Sequence, residues 1–144
     1  MFLKDEKETI SYGLKFADKM TENTVLFLNG NLGAGKTTFT KGVVKGLKGR
    51  ENDVSSPTYT YVQEYDTLDG KLVTHIDLYR SKKGDFDDEL YSIVTECLNP
   101  IIIEWPENIG EHLTKYISDS KNLIKIDINI TKSGERDFII QSNE

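Results

Sequence analysis

The 144-residue sequence lacks several features that define other classes of protein. Its single cysteine, Cys97, cannot form an internal disulfide, and no stretch approaches the roughly 20 apolar residues that span a bilayer. The first ten residues, MFLKDEKETI, contain no apolar core of a signal peptide. These absences favour a cytoplasmic protein without a membrane partner.

Positive charge is also scarce. Lys and Arg number 18 against 24 Asp and Glu, which gives a formal net charge of −6. Surfaces that bind nucleic acid draw affinity from clustered Lys and Arg, so we expect any nucleic-acid contact to be indirect at most. With 37% hydrophobic residues, the chain is long enough for one core and too short for two ordinary domains. We therefore expect one domain over residues 1–144.

Apolar patterns predict helices interleaved with buried strands. The runs VLFLN (25–29) and IIIEW (101–105) are typical of strands buried on both faces of a sheet. Helical spacing predicts three helices with these inward faces: Ile10, Leu14, Ala17 and Met20; Phe39, Val43 and Leu47; and Leu90, Ile93, Val94 and Cys97. Gly42 and Gly46 cost the second helix up to ~1 kcal/mol each relative to Ala, so close packing against a neighbour is expected there.

Two further segments predict antiparallel strand pairs. Residues 54–80 contain two β-rich runs joined by Asp69-Gly70, and NLIKIDINI and DFII flank the turn KSGER. The sequence thus predicts an α/β fold whose central sheet is mostly parallel, has antiparallel marginal strands and is flanked by helices.

A glycine-rich segment joins the first apolar strand to the second helix. Residues 30–37 spell G-N-L-G-A-G-K-T, which matches G-x-x-x-x-G-K-T in the context that a phosphate-binding loop requires. Glycines let backbone N–H groups point at phosphate, and the helix N-terminus adds attraction. Lys36 would reach the β- and γ-phosphates, and the Thr37 hydroxyl would coordinate Mg²⁺. The predicted nucleotide-binding residues are Asn31, Gly33, Ala34, Gly35, Lys36, Thr37 and Thr38.

Two carboxylates follow apolar strands elsewhere in the chain. Asp77 ends the alternating run LVTHID, where a Walker B carboxylate would hold Mg²⁺, although capping a turn is an equal alternative. Glu104 lies at the C-terminal tip of IIIE, where ligands gather in open α/β sheets. Glu104 could orient or deprotonate the water that attacks the γ-phosphate, and a solvated strand-end glutamate is the alternative.

Three neighbouring residues have more than one interpretation. His75 shares a strand face with Asp77, and we expect it to be packed or hydrogen-bonded, since two residues make a poor metal site. Trp105 could stack on a nucleotide, dock a partner or cap the core. Thr58 follows Ser56-Pro57 about where nucleotide switches place a threonine that senses Mg²⁺ and γ-phosphate, but the proline alone could start a strand.

These segments together resemble a known family. GNLGAGKTTFTKG, VSSPTYTYVQEY, HIDLYR and IIIEWPE are similar, in the same order, to the blocks of the bacterial tRNA threonylcarbamoyladenosine biosynthesis ATPase family TsaE, also called YjeE. The resemblance covers nearly the whole chain. It implies an ATPase that binds ATP or ADP with Mg²⁺ and acts with TsaB and TsaD, supporting threonylcarbamoyl transfer to the adenosine beside the anticodon. TsaD would perform the transfer, and TsaC would make the activated intermediate.

The resemblance also implies roles for residues at matching positions. Catalytic roles fall to Lys36, Thr58 and Glu104, metal binding to Thr37, Asp77 and Glu104, and a place beside the nucleotide to Trp105. Arg80 would contribute charge or a partner contact. The sequence departs from the family at Asn31, where Asp is usual, at Lys41, where Arg is common, and at Leu90-Tyr91-Ser92, which lacks a Leu-Gly pair in a region expected to face partners.

Other functions also use a phosphate loop. Small-molecule kinases usually close an arginine-rich lid, whereas this chain has only Arg50, Arg80 and Arg136. GTPases read guanine with Asn-Lys-x-Asp, which is absent, so adenine is favoured. A non-catalytic subunit that binds nucleotide to set its affinity for a partner would not need Glu104 for turnover. We expect an ATPase that is weak alone and is stimulated by partner subunits, because no lid or arginine finger is evident.

Overall fold

The computed structural model describes residues 1–31, 33–55 and 61–143, and within them one seven-stranded sheet carries helices on both faces. The strands are β1 (Phe2–Leu3), β2 (Thr24–Asn29), β3 (Val62–Asp66), β4 (Leu72–Asp77), β5 (Ile101–Glu104), β6 (Asn122–Ile130) and β7 (Arg136–Ser142). The α-helices are α1 (Glu6–Phe16), α2 (Lys36–Gly46), α3 (Asp87–Glu96) and α4 (Glu111–Ser120). Short 3₁₀ helices occupy Ala17–Lys19, Glu51–Asp53 and Pro106–Asn108.

The sheet has the order β1-β7-β6-β2-β5-β4-β3. The four inner strands β6, β2, β5 and β4 run parallel, whereas β3, β7 and β1 each pair antiparallel with their neighbours. This arrangement confirms the predicted fold class. It also places β2, which leads into the phosphate loop, at the centre of the sheet.

Both faces of the central strand are buried, as its continuous apolar sequence predicts. Leu26 and Leu28 of β2 pack in the cluster that contains Phe39 of α2, while Val25 and Phe27 pack in the cluster that contains the buried residues of α3 and α4. Successive side chains of a strand point to opposite faces, so a strand covered on both sides must be apolar throughout. Two hydrophobic layers therefore fix the plane of the sheet on which the site is built.

The two predicted strand pairs are both confirmed. β3 and β4 pair antiparallel across a turn in which Gly70 adopts φ 78°, and β6 and β7 pair across a turn in which Gly134 adopts φ 85°. A positive φ in this range is disfavoured for residues with a Cβ, which explains glycine at both turns.

The predicted inner face of the first helix is confirmed at Ala17 and Met20, which are buried just after α1, but not within α1 itself. Leu14 is 40% exposed and Ile10 is half-buried, whereas Gly13 and Phe16 are buried. The reason is a close helix contact: a Cβ on Gly13 would lie 2.5 Å from the carbonyl oxygen of Phe39, in α2. Glycine at the contact lets the two backbones approach, and this rotates the larger apolar residues away from the expected face.

The close packing expected around the glycines of α2 is confirmed. A Cβ on Gly42 would overlap the carbonyl oxygen of Ile10, and one on Gly46 would lie 2.6 Å from the carbonyl oxygen of Leu14. The missing side chains therefore allow α1 to lie directly against α2, and this contact offsets the helix propensity that the glycines cost.

The sequence analysis predicts no helix over Glu111–Ser120, so α4 is absent from the predicted fold although the structure has it. This helix buries Leu113 and Ile117, one turn apart, against the cluster that also holds Leu90 and Val94 of α3. Two buried residues in a polar segment are a weak helical pattern, which explains the omission. None of the described helices combines the length and apolarity that crossing a bilayer requires.

Candidate active site

A cavity of about 780 Å³ lies where the phosphate loop and the C-terminal ends of β4 and β5 meet. This volume is in the usual range for ligand pockets, roughly 300–1,000 Å³. From the loop and the start of α2, the lining includes Gly33, Gly35, Lys36, Thr37 and Thr38. From the other strands it includes Asp77, Glu104 and Trp105. The fold thus gathers eight of the predicted site residues around one space.

Two described residues of the predicted site do not line the cavity, and one predicted residue cannot be placed. Asn31 and Ala34 belong to the loop but do not line the cavity. Ala34 is 1% exposed, and its N–H donates to the carbonyl of Asn31 at 3.0 Å. Thr58 lies outside the described residues.

The loop conformation depends on glycine at two positions. Gly33 has φ 79° and Gly35 has φ 104°, both in the left-handed region. Gly35 directly precedes α2 as its N-cap, so the turn into the helix is made by a residue that has no Cβ strain. The N-terminus of α2 therefore opens at the cavity, where the helix dipole favours an anion.

Arg136, which the sequence analysis does not assign to the site, braces this loop. Its Nε donates to the carbonyl of Ala34 at 3.1 Å, and its Nη2 donates to the carbonyl of Gly33 at 3.2 Å. Its Nη1 donates to the carbonyl of Gly134 at 2.6 Å, in the β6–β7 turn. The guanidinium thus ties the loop to the hairpin and adds positive charge to the wall of the cavity.

Lys36 is buried, and none of the carboxylates that the structure describes is bonded to it. Its side chain is only 5% exposed, and its Nζ donates to the carbonyl of Gly30 at 2.6 Å. The same ammonium lies 3.8 Å from the ring centroid of Trp105, in cation–π geometry. Burial lowers the pKa of Lys36, and the negative charges of Glu104 and Asp77 oppose that shift. An anionic ligand in the cavity would supply the counter-charge that Lys36 lacks.

Trp105 has an unusual backbone conformation. It adopts φ 59° and ψ 52°, the left-handed region that bulky residues rarely enter, between β5 and the 3₁₀ helix. Its ring packs 5.1 Å from that of Tyr79 and against the apolar cluster under α3 and α4. Of its three interpretations, packing at the edge of the core is therefore confirmed, and the ring also lines the cavity.

Asp77 caps a turn and also lines the cavity. It ends β4 opposite Glu104 of β5, and its Oδ1 accepts a hydrogen bond from the backbone N–H of Tyr79 at 3.0 Å. Capping this turn is therefore confirmed, and the residue also lines the cavity. Burial raises the pKa of Asp77, and the neighbouring charge of Glu104 raises it further. A cation beside this pair would relieve the repulsion.

Glu104 is not a solvated strand-end residue, so that alternative is wrong. It is 2% exposed, and its Oε2 lies 2.6 Å from Nε2 of His75. His75 is fully buried, and its Nδ1 lies 2.7 Å from the hydroxyl of Tyr65. The expectation of a hydrogen-bonded histidine is confirmed. The parallel pairing of β4 with β5 explains the contact between His75 and Glu104. Asp77 pairs with Glu104 in register, and His75 lies two residues before Asp77, so its side chain is on the same face of the sheet.

The donor set of the cavity fits Mg²⁺ held together with a phosphate ligand. Among the described residues, no group of three His, Cys, Asp or Glu side chains is arranged to hold a metal by itself. The oxygen donors that line the cavity include the hydroxyl of Thr37 and the carboxylates of Asp77 and Glu104. Mg²⁺ prefers oxygen ligands and usually takes one or two carboxylates, with water and phosphate completing its shell.

The chain is similar to known proteins over most of its length. A family model described as threonylcarbamoyl adenosine biosynthesis protein TsaE matches residues 3–138. A relative from Haemophilus influenzae, named tRNA threonylcarbamoyladenosine biosynthesis protein TsaE, is 39% identical over 114 residues, covering 74% of this chain and 70% of the relative. A relative of the same name from Rickettsia typhi is 35% identical over 137 residues, covering 93% of this chain and 88% of the relative.

The fold also matches a solved structure. The crystal structure of YdiB from Bacillus subtilis superposes with a TM-score of 0.68 at 26% sequence identity. The match covers 100% of this chain and 84% of that one.

Proposed function

Because the chain belongs to the TsaE family of threonylcarbamoyl adenosine biosynthesis proteins, we propose that it is the ATPase of tRNA threonylcarbamoyladenosine biosynthesis. One observation carries this proposal: Lys36, at the start of α2, and the buried carboxylate of Glu104 line a single cavity at the ends of parallel strands. The first is a phosphate-binding group, and the second is a base or water-orienting group.

Each group in the cavity has a defined task in ATP hydrolysis. Lys36 exchanges the carbonyl of Gly30 for the β- and γ-phosphates, and this contact supplies the counter-charge that its burial demands. Thr37 and Asp77 are the residues that would hold Mg²⁺, which neutralises phosphate charge when bound. Glu104 orients or deprotonates the attacking water. Thr58 is proposed as the γ-phosphate sensor, and Trp105 as a neighbour of the nucleotide.

Partner subunits complete the proposed reaction. We expect hydrolysis to be slow in the isolated protein and faster with TsaB and TsaD, of which TsaD performs the transfer of the threonylcarbamoyl group to tRNA. The site supports this dependence because the guanidinium of Arg136 is bonded to three backbone carbonyls, which leaves it poorly placed to follow the transferred phosphate. Arg80, which also lines the cavity, remains available for phosphate or for a partner.

The test is ATP turnover with Mg²⁺, measured for the protein alone and after addition of TsaB and TsaD from the same source. The proposal predicts stimulation by the partners and its loss in Glu104→Gln, while ATP still binds to that variant. Lys115→Met, on the exposed surface of α4, serves as the control for substitution as such.

A different result would favour nucleotide-gated binding without catalysis. If ATP binds and changes the affinity for TsaB and TsaD but is never hydrolysed, Glu104 has no role in turnover and the ATPase proposal fails. Phosphate transfer to a small molecule instead of water would identify a kinase.

A further inference from the structure

A chain of buried polar groups runs from Glu104 away from the cavity, across three adjacent strands. Glu104 of β5 meets His75 of β4 at 2.6 Å, His75 meets Tyr65 of β3 at 2.7 Å, and the Tyr65 hydroxyl lies 2.7 Å from Oε1 of Gln63. His75 is fully buried, Glu104 is 2% exposed and Tyr65 is 4% exposed. Only the Glu104 end of this chain reaches the nucleotide cavity.

The order of the strands makes this chain possible. β4 lies between β3 and β5, with Gln63 opposite His75 on one side and Ile102 opposite His75 on the other. Glu104 lies two residues beyond Ile102 and therefore on the same face of the sheet. The imidazole thus contacts both neighbouring strands and joins the hairpin β3–β4 to the end of β5.

Glu104 needs a hydrogen-bond partner because its carboxylate is buried, and that partner decides how the carboxylate is oriented. Burying a carboxylate without hydrogen bonds strongly destabilises the folded state. Holding a glutamate side chain in one orientation also costs rotamer entropy. The bond to His75 occupies Oε2 and fixes the plane of the carboxylate. In the proposed reaction, Oε1 is then the oxygen that would hold the attacking water. A reacting group held in this way loses little entropy when the water is bound.

We propose that His75 is a positioning residue for hydrolysis: its Nε2 holds Oε2 of Glu104, and Tyr65, bonded to Nδ1, fixes the orientation of the imidazole ring. This inference rests on the proposed ATPase function. A purely stabilising role is the competing explanation, and it predicts changes in unfolding free energy without a selective change in kcat. The positioning role predicts a loss of kcat in protein that is folded and binds ATP.

The experiment compares isosteric variants in the assembled system, with TsaB, TsaD, Mg²⁺ and ATP. The amide of His75→Asn replaces Nδ1 and leaves Glu104 without its partner, so kcat should fall about 10- to 100-fold, with KM for ATP within about twofold. His75→Gln places an amide N–H near the Nε2 position and should recover part of this loss. Tyr65→Phe, which retains the imidazole, should lower kcat by about 3- to 10-fold.

A second readout needs no turnover. The chain has two histidines, His75 and the exposed His112, so His112→Gln leaves a single imidazole to follow by ¹H–¹⁵N NMR in the nucleotide-free protein. Slowly exchanging imidazole N–H signal is expected for His75, and Glu104→Gln and Tyr65→Phe should each shift it. His112→Gln should also retain wild-type turnover. Unchanged His75 resonances in both variants would show that the chain of bonds is absent and would overturn the inference.

The kinetic outcomes separate this inference from the function on which it rests. Absence of turnover in the wild-type assembly would overturn the proposed ATPase, and with it any role in positioning for hydrolysis. Normal wild-type turnover, with kcat unchanged in folded His75→Asn and Tyr65→Phe, would overturn the positioning role alone. If His75→Asn does not fold, Tyr65→Phe decides the question by the same criteria.

Discussion

At the scale of single residues, Lys36 is a buried cation whose environment an anionic ligand would improve. Among the described residues, its ammonium contacts the carbonyl of Gly30 and the face of Trp105, and burial lowers its pKa while the carboxylates of Glu104 and Asp77 oppose the shift. A polyphosphate would replace the carbonyl contact by charge-assisted hydrogen bonds, which are stronger than neutral ones. Nucleotide binding should therefore draw Lys36 away from the indole.

Replacing Lys36 tests this account. Lys36→Met keeps much of the side-chain volume but removes the charge, and it should weaken ATP binding about 10- to 100-fold. In the wild type, ATP should change the emission of Trp105, the only tryptophan in the sequence, because the cation leaves its ring. Both effects can be measured in one fluorescence titration, with the surface variant Lys115→Met as control. Equal affinities of Lys36→Met and wild type would contradict the assigned role.

Because Tyr65 is buried, the free energy of unfolding should depend on pH in a direction that its raised pKa determines. Burial raises the pKa of Tyr65 to about 12, and the charges of Glu104 and Asp53 also raise it. An unfolded tyrosine has a pKa near 10, so above about pH 10 the unfolded chain loses this proton before the folded protein does. The stability that the neutral phenol contributes is fully present below pH 10 and is lost as the pH rises through about 12.

The comparison of wild type with Tyr65→Phe isolates this effect. Urea unfolding at pH 8 and pH 11 should show the stability advantage of the wild type shrinking by about 1 kcal/mol. Tyr91→Phe, which removes a hydroxyl from a half-exposed tyrosine, controls for the loss of one tyrosine from the unfolded chain. A difference between wild type and Tyr65→Phe that does not change with pH would contradict the raised pKa.

At the scale of the elements, the contact between α1 and α2 sets where α2, the helix after the glycine-rich loop, lies. Gly13 of α1 and Gly42 of α2 face each other so closely that a Cβ on Gly13 would lie 3.1 Å from the Cα of Gly42. An ordinary helical glycine is improved by alanine, by up to about 1 kcal/mol. At this contact alanine should instead destabilise the protein, because the added methyl group would meet backbone atoms that cannot move independently.

Gly13→Ala should therefore destabilise the protein by about 1–3 kcal/mol, as overpacking usually does. Ser11→Ala, at an exposed position of the same helix, is the matched control and should be neutral or slightly stabilising. Chemical unfolding of the three proteins measures both differences. A more stable Gly13→Ala protein would show that the helices are not in close contact there.

Arg136 links a second pair of elements, the phosphate loop and the β6–β7 hairpin. Lysine at this position keeps the charge but not the planar fork that reaches the carbonyls of Gly33, Ala34 and Gly134. Arg136→Lys should thus weaken ATP binding about 3- to 10-fold through a less ordered loop, with the fold retained. Arg50→Lys, at an exposed arginine, is the control. Calorimetric titration showing unchanged affinity in Arg136→Lys would contradict the bracing role.

At the scale of the whole molecule, the sequence predicts what is decided locally. The glycine and lysine pattern of residues 30–37 reports a strand-to-helix loop because its chemistry depends on neighbours in sequence. The apolar runs of β2 and β5 likewise report burial on both faces. Asp77 and Glu104 each end an apolar strand, and the carboxyl ends of parallel strands lie at one edge of the sheet. Their meeting at this edge could therefore be expected.

Contacts between distant segments are what the sequence does not reveal. The bond from His75 to Glu104 joins residues 29 apart and depends on β4 lying beside β5. Arg136 reaches Ala34 across 102 residues through the twist of a hairpin, and nothing in its local sequence signals this. The side chain of Leu14 is exposed because Gly13, and not Leu14, lies against α2, and helical periodicity cannot detect such a glycine contact.

The central claim is that one cavity both binds ATP and, through Glu104, hydrolyses it. The most direct measurement mixes ATP and Mg²⁺ with the wild-type assembly and with its Glu104→Gln counterpart, and then identifies the nucleotide that remains bound. The account predicts ADP on the wild type and intact ATP on Glu104→Gln at comparable occupancy. Intact ATP on both proteins, or ADP formed equally fast on both, would contradict it.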